Sequence, residues 1–184
     1  MEEMNDYSRP FDGEFSQEKL SKEMLLKLLR VYSEYVLKID GYWYMTVLNR
    51  WGNDEAVSCD IEVWERAKLF ELKAITEAYH IEGNDVATLM KYIQTHPWIT
   101  LSEVEIKVRD ANYATLTHIT CPTLFAIEKE GSGREKRQCS EVDFKFMKVM
   151  AGYFNPKIQV TPLKLPPREN ANDICCKWEF KLEE

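Results

Sequence analysis

The hydrophobic pattern of this chain predicts an α+β fold in which N-terminal helices pack with a C-terminal antiparallel β-β-α-β-β unit. Two observations lead there. Apolar residues recur at spacings of three and four from Ser16 to Gln94, and after Pro97 the period drops to two. The amphipathic run from Ser140 to Phe154 then lies between two pairs of strand-like segments and supplies the helix that covers one face of the sheet.

Residues 1–15 carry Asn5, Pro10 and Gly13 with little periodicity and read as a flexible arm, with Phe11 and Phe15 able to dock. Residues 16–96 form the helical part. Leu20, Met24, Leu25, Leu28, Leu29, Tyr32, Tyr35, Val36 and Ile39 make the apolar stripe of a first helix with Ser16 as N-cap. Asp40-Gly41 marks a kink or short break, after which Tyr42, Trp43, Met45, Val47 and Leu48 carry the pattern to a C-cap at Gly52. The next helix runs from about Asp54 or Asp60 to about Ala78 and is expected to bury Val57, Ile61, Trp64, Leu69, Leu72 and Ile75. A short helix from Asp85 to Gln94 follows, capped by Asn84 and closed by Pro97.

Residues 97–184 form the α+β part, and the whole chain fits one compact domain. Val104, Ile106 and Val108 alternate with charged residues, Asp110-Ala111-Asn112 supplies a turn, and Tyr113 to Cys121 returns as a Thr-rich strand. The Ser140–Phe154 helix places Val142, Phe146, Val149, Met150 and Tyr153 on one stripe. Ile158–Leu165 and Ile174–Leu182 are two more strands, separated by Pro166-Pro167.

Composition narrows the function classes. The 24 Lys+Arg against 31 Asp+Glu leave a formal charge of -7, which opposes binding to nucleic acid or to an anionic membrane surface. The cluster Arg134-Glu135-Lys136-Arg137 is too small for a phosphate footprint. An acidic, polar amino terminus and the lack of a long apolar run predict a cytoplasmic protein, and five cysteines in a chain of 184 residues fit free thiols.

Three cysteines are placed to converge. Cys121 ends a strand and precedes Pro122, Cys139 follows a glycine-containing charged loop, and Cys176 opens the last strand on its core side with Trp178 and Phe180, leaving Cys175 toward solvent. Thiolates are nucleophiles and soft metal ligands, so the trio could attack a substrate or hold zinc with His118 as a fourth ligand. Strand alternation works against that ligand, because it puts His118 on the face opposite Cys121. Burial as small apolar core residues is the other reading of the same cysteines. Cys59, beside Asp60 at a helix start, reads first as a capping-region residue, with a pKa lowered by the helix dipole as the other reading. Asp40 is an acid inside an apolar stripe, and Trp43 and Trp64 are candidate walls of a pocket.

Asp40-Gly41-Tyr42-Trp43, Val63-Trp64, Ile81-Glu82-Gly83-Asn84-Asp85, Pro97-Trp98, Cys121-Pro122, Cys139, Asn155-Pro156, Pro166-Pro167 and Cys176-Lys177-Trp178-Glu179-Phe180 together resemble an uncharacterised family of cytosolic proteins from anaerobic prokaryotes. The resemblance covers residues from about 18 to 184. That family looks related to the L-2-amino-thiazoline-4-carboxylic acid hydrolase-like proteins and is more distantly similar to the vinyl-reductase-type ligand-binding domains. It implies the fold and singles out Cys121, Cys139 and Cys176, with no reaction assigned.

The expected function is binding of a small organic molecule between the helices and the sheet. Its enzymatic form is a thiol- or metal-dependent hydrolase with Cys121, Cys139 or Cys176 attacking or ligating, and Asp40 as acid, base or orienting carboxylate. The alternative is a non-catalytic sensor or dimerising interaction module, a homodimer paired through Tyr42, Trp43 and Trp51.

Overall fold

Where the hydrophobic period changes, the backbone changes with it. The computed structural model describes residues 3–183, and its order is two long helices, a short one, and then a sheet interleaved with further helices. Residues 1, 2 and 184, which belong to the expected arm and to the end of the expected α+β part, lie outside the described residues.

Helix α1 (Lys22–Trp51) and helix α2 (Asn53–Tyr79) are joined by Gly52 alone. Gly52 has φ 91, a left-handed value that only glycine adopts cheaply, and its N–H closes α1 on the carbonyl of Leu48 at 2.9 Å. α1 runs unbroken through Asp40-Gly41, so the expected kink is absent. Asp40 is anchored within the helix by the indole of Trp64, and a glycine there weakens a helix without breaking its hydrogen bonds. The N-cap is Ser21, whose hydroxyl accepts from the Met24 N–H at 3.3 Å, whereas Ser16 only precedes a short turn at Gln17–Lys19. The arm is tied down as well. Met4 is buried and exchanges backbone hydrogen bonds with Lys19 and Ser21, while Phe11 stays in solvent.

Helix α3 (Val86–Thr95) is capped by Asp85, which accepts from the Thr88 N–H at 2.7 Å, rather than by Asn84. A 3-10 turn, Pro97–Leu101, leads to strands β1 (Val104–Asp110) and β2 (Tyr113–His118). β2 is shorter than expected because the chain leaves the sheet after His118 and starts an unanticipated helix, α4 (Pro122–Glu130). Cys121 caps it, Pro122 occupies its first position, and Gly131 ends it. A short helical turn α5 (Glu135–Arg137) and a π-helical turn (Gln138–Asp143) then feed helix α6 (Phe144–Phe154), followed by β3 (Ile158–Lys164) and β4 (Cys176–Leu182). The four strands form an antiparallel sheet in the order β1-β2-β4-β3.

The main core lies between helices and sheet. Leu72 of α2, Leu89 and Tyr92 of α3, Leu116 of β2, Met150 of α6, and Trp178 and Phe180 of β4 belong to one buried cluster. Each large apolar side chain buried there stabilises the fold by about 1.5–3 kcal/mol. A smaller cluster joins Tyr44 and Val47 of α1 to Ala56 and Val57 of α2 and to Val142.

Two stripes depart from expectation. α1 turns Leu37, Asp40, Tyr44 and Val47 toward the protein and leaves Leu25, Leu29, Tyr32, Tyr35, Val36 and Ile39 exposed. On α2 the exposed residue is Leu69, and Lys68 is buried in its place. Lys68 is four residues from both Trp64 and Leu72, so helical geometry puts it on their stripe. Among the described residues no helix is long and apolar enough to cross a membrane.

Two glycines test this backbone in opposite directions. Gly83 has φ 130, and a Cβ there would collide with Thr88 Oγ1. Gly83→Ala is expected to destabilise by about 1–3 kcal/mol. At Gly41 an added Cβ would meet nothing within 4 Å, so Gly41→Ala is expected to stabilise by about 0.5–1 kcal/mol. Urea denaturation of the two variants measures both, and equal midpoints would contradict the local geometry.

Candidate functional site

The sheet's buried face changes character at one end. Cross-strand pairs Ala114 with Phe180 and Leu116 with Trp178 are core, and the next pair in register is His118 with Cys176. Beyond it the N–H groups of Ile119 and Thr120 both donate to the Glu103 carbonyl, at 2.9 and 3.2 Å, and turn the chain so that Cys121 caps α4 over the same end. The alternation that would oppose Cys121 to His118 therefore stops before Cys121. Both line one cavity.

That cavity, of about 120 Å³, lies between the sheet end, α1, α2, the 3-10 turn, α4 and α6. Cys121, Cys176, His118, Asp40, Asp143 and Trp64 contribute to its wall. Trp98 and Phe146 pack against Trp64 with ring centroids 4.6 and 5.7 Å away and complete an aromatic side. A second hollow of about 320 Å³ shares Asp40, Pro122, Thr123 and Gln138 with the first and is also lined by Asp60, Lys38 and Arg134.

A layer of carboxyls separates the two spaces. Asp40 Oδ1 accepts from Trp64 Nε1 at 2.9 Å, and Gln138 Nε2 donates to Asp60 Oδ2 at 3.3 Å. Asp60 Oδ1 is buried with no partner among the described residues. Loss of water raises the pKa of Asp40, with the Trp64 hydrogen bond opposing the rise. Burial, then repulsion from Asp40, lifts Asp60 to about 7. Burial lifts Asp143 to about 6, tempered by hydrogen bonds from Cys139 and Gln138.

The thiols are neutral. Burial pushes Cys121 up to about 12, and it pushes Cys139 and Cys176 upward as well, helped by the charge of Asp143. Cys176 Sγ accepts from Trp178 Nε1 at 3.2 Å, and Cys121 Sγ accepts from the Leu124 N–H at 3.5 Å, so both serve local structure. Cys139 lies behind Asp143, outside the cavity wall. Among the described residues no three His, Cys, Asp or Glu side chains gather so as to hold a metal ion, which leaves the zinc expectation without a ligand set.

The other expected residues divide. Trp64 faces the cavity, and Trp43 points outward and is not part of its wall. Cys175 is buried rather than solvent-facing, its thiol directed at the Ile119 carbonyl at 3.4 Å. Cys59 lies within α2, and its pKa is raised by burial and by Glu55, opposite to the expected dipole effect. All five cysteines are free.

A buried ionic cluster behind the aromatic side was not anticipated. Lys68 is fully buried, with Nζ 2.7 Å from Glu71 Oε2 and 4.0 Å from the centre of the Phe146 ring. Glu71 Oε1 also accepts from Tyr92 Oη at 2.8 Å and lies 3.3 Å from His96 Nε2. His96 Nδ1 accepts from the Trp98 N–H at 3.2 Å, and its other ring nitrogen, Nε2, contacts Lys68 Nζ beside Glu71. Burial lowers Lys68 to about 8, partly opposed by Glu71, and holds His96 well below the usual imidazole range. The available signal was a lysine on an apolar stripe with an acid three residues later. His118 is also kept neutral by burial, at about 4, and its Nδ1 has no partner among the described residues.

With this geometry in hand, comparison with known proteins places the chain. The profile of a family described as "Family of unknown function (DUF6125)" matches residues 18–182. The chain belongs to DUF6125. No curated protein and no solved structure matches this DUF6125 member.

The polar groups give two tests. Asp60 has its folded pKa raised from 3.8 to about 7, so the native state binds more protons than the unfolded state across that window. Its contribution is fully present below the ordinary carboxyl value and is lost as pH rises through about 7. His96 and His118, with lowered values, act in the opposite sense below their ordinary 6.5, so the measurement is the difference between wild type and Asp60→Asn. The variant is expected to gain stability relative to wild type as pH rises from about 4 to about 7, and to hold that gain above it. A difference independent of pH would refute the assignment. Lys68→Met strands Glu71 without its cation and is expected to cost about 3–5 kcal/mol in urea denaturation, with much of the loss recovered when Glu71→Met is added.

Proposed function

We propose that this DUF6125 protein binds a small organic cation, an amine or amidine, in the cavity between the helices and the sheet. The observation that supports this reading is an imbalance of charge. Asp40 and Asp143 line the cavity, Asp60 lies one residue layer behind, and no Lys or Arg belongs to the cavity wall among the described residues. Ionised together, these carboxyls repel one another, and a ligand cation would relieve that repulsion while resting against Trp64, Trp98 and Phe146. The unpartnered His118 Nδ1 offers one more hydrogen bond to the same guest. A cavity of about 120 Å³ suits a ligand whose buried part is near the size of benzene, which fills about 150 Å³ in an engineered apolar site.

In its enzymatic form the site works through oxygen acids rather than thiols. Asp143, held at about 6, can give or take a proton near neutral pH, and Asp40 can orient a substrate nitrogen. A neutral, hydrogen-bonded thiol is a poor nucleophile, so Cys121 and Cys176 act as wall. Kinship with the L-2-amino-thiazoline-4-carboxylic acid hydrolase-like proteins belongs to this proposal, as does a cytoplasmic setting, which would keep five free thiols reduced.

Thermal-shift measurements with benzylamine, benzamidine and benzoate test the charge class. The two cations are expected to raise Tm, more at about pH 8 than at about pH 5, because ionised carboxyls attract them. Asp143→Asn should abolish the shift, while Cys121→Ser should retain it. Stabilisation by benzoate and not by the cations would overturn the proposal.

A further inference from the structure

The outward face of α1 has no counterpart among the described residues. Leu25, Leu29, Tyr32, Val36, Ile39 and Trp43 follow one another at intervals of four, three, four, three and four residues. This is the heptad seam of a coiled coil. All six are between 37% and 58% exposed. The ionic residues Lys27, Arg30, Glu34 and Lys38 fall on the opposite side of the helix, so none interrupts the seam.

We propose that this seam pairs with a second copy of the chain, the two α1 helices lying antiparallel about a two-fold axis near residue 34. The spacing reads the same in both directions. Antiparallel superposition sets Leu25 against Trp43, Leu29 against Ile39 and Tyr32 against Val36, in each case a smaller side chain against a larger or differently branched one. A face that complements itself under a two-fold rotation is the requirement for a closed homodimer. The seam extends about 27 Å along the helix at 1.5 Å per residue.

Area points to the same occupant. Six half-exposed large apolar residues present on the order of 600 Å², and the flanking Tyr35 and Tyr42 bring this to about 900 Å², against roughly 800 Å² per partner in a standard stable interface. Tyr35 and Tyr42 are 61% and 69% exposed. A patch of this extent exceeds what a typical monomer leaves open. Burying it against a bilayer is disfavoured by the net charge of -7, which repels anionic lipid. Asp40 flanks the seam, and its carboxylate is held by the indole of Trp64 inside the protein rather than turned into the seam.

Sedimentation velocity on the full chain, with Leu29→Glu/Val36→Glu beside wild type, decides the matter. Wild type is expected to sediment as a dimer at micromolar concentration. The variant, folded by far-ultraviolet circular dichroism because both sites are exposed, should associate about 100-fold more weakly or not at all. Orientation is read by oxidative cross-linking: Leu25→Cys protein mixed with Trp43→Cys protein should cross-link, and neither should do so alone. A monomeric wild type, a variant that still dimerises, or cross-linking of either cysteine variant with itself would overturn the proposal. So would a wild type that stays monomeric yet floats with phosphatidylserine vesicles, which would reassign the face to a membrane.

Discussion

An ammonium group cannot remain inside a protein without a partner, and Lys68 is inside this one. Its partner is Glu71, one turn along the same helix, and Glu71 in turn accepts from Tyr92 of α3 and lies against the ring of His96 just beyond it. The requirement to satisfy one buried charge thus fixes how α2 meets α3 and the 3-10 turn. His96 passes the constraint on by accepting from the backbone of Trp98, and its ring lies 5.1 Å from the Trp98 ring in a stacked arrangement. The aromatic side of the cavity is therefore set by an ionic group that the cavity itself does not contain.

Desolvation organises the other side. Taking carboxyls and thiols out of water favours their protonated forms, and at Asp60, Asp143, Cys121 and Cys176 no cation is among the groups that oppose the rise. The consequence differs by group. A thiol raised from 9.0 to about 12 is inert at neutral pH, while a carboxyl raised from 3.8 to about 6 is brought within reach of it. The same physical cause keeps the thiol of Cys121 protonated at neutral pH and lets the carboxyl of Asp143 exchange a proton near it.

The fold was largely legible in the residues because its signals are local. The hairpin β1–β2 and the strands β3 and β4 follow a period of two, and the change of period at Pro97 marks the boundary between helical and sheet regions. The buried face of α1 was misjudged because that helix has two apolar faces, and periodicity alone cannot say which one finds a partner in the same chain. Helix α4 escaped because Pro122–Glu130 is short, and its start at Cys121-Pro122 resembles the end of a strand. At the site, Asp40, Trp64, Cys121 and Cys176 were within reach of sequence because each breaks or ends a pattern. Lys68 also breaks a pattern, yet Leu69 beside it supplied an apolar residue that masked the break. Asp60, Gln138 and Asp143 meet only through tertiary packing of α2 against the segment before α6, which no local rule encodes.

The π turn at Gln138–Asp143 alters the winding of the segment that leads into α6. Gln138, Val142, Phe146 and Met150 follow one another at intervals of four, and all four line the cavity. On an ideal α-helix such a row would drift by about 40° per step, because 3.6 residues complete a turn. A turn closed between residues five apart is wider and underwound, and it holds the first steps of the row in line with the rest. The extra residue therefore acts as a phase correction between two halves of one helical segment. Removing it would keep the apolar half in register with the core while rotating Gln138 by about 100° out of the chamber, so the polar character of the cavity hangs on a count of residues rather than on their identity.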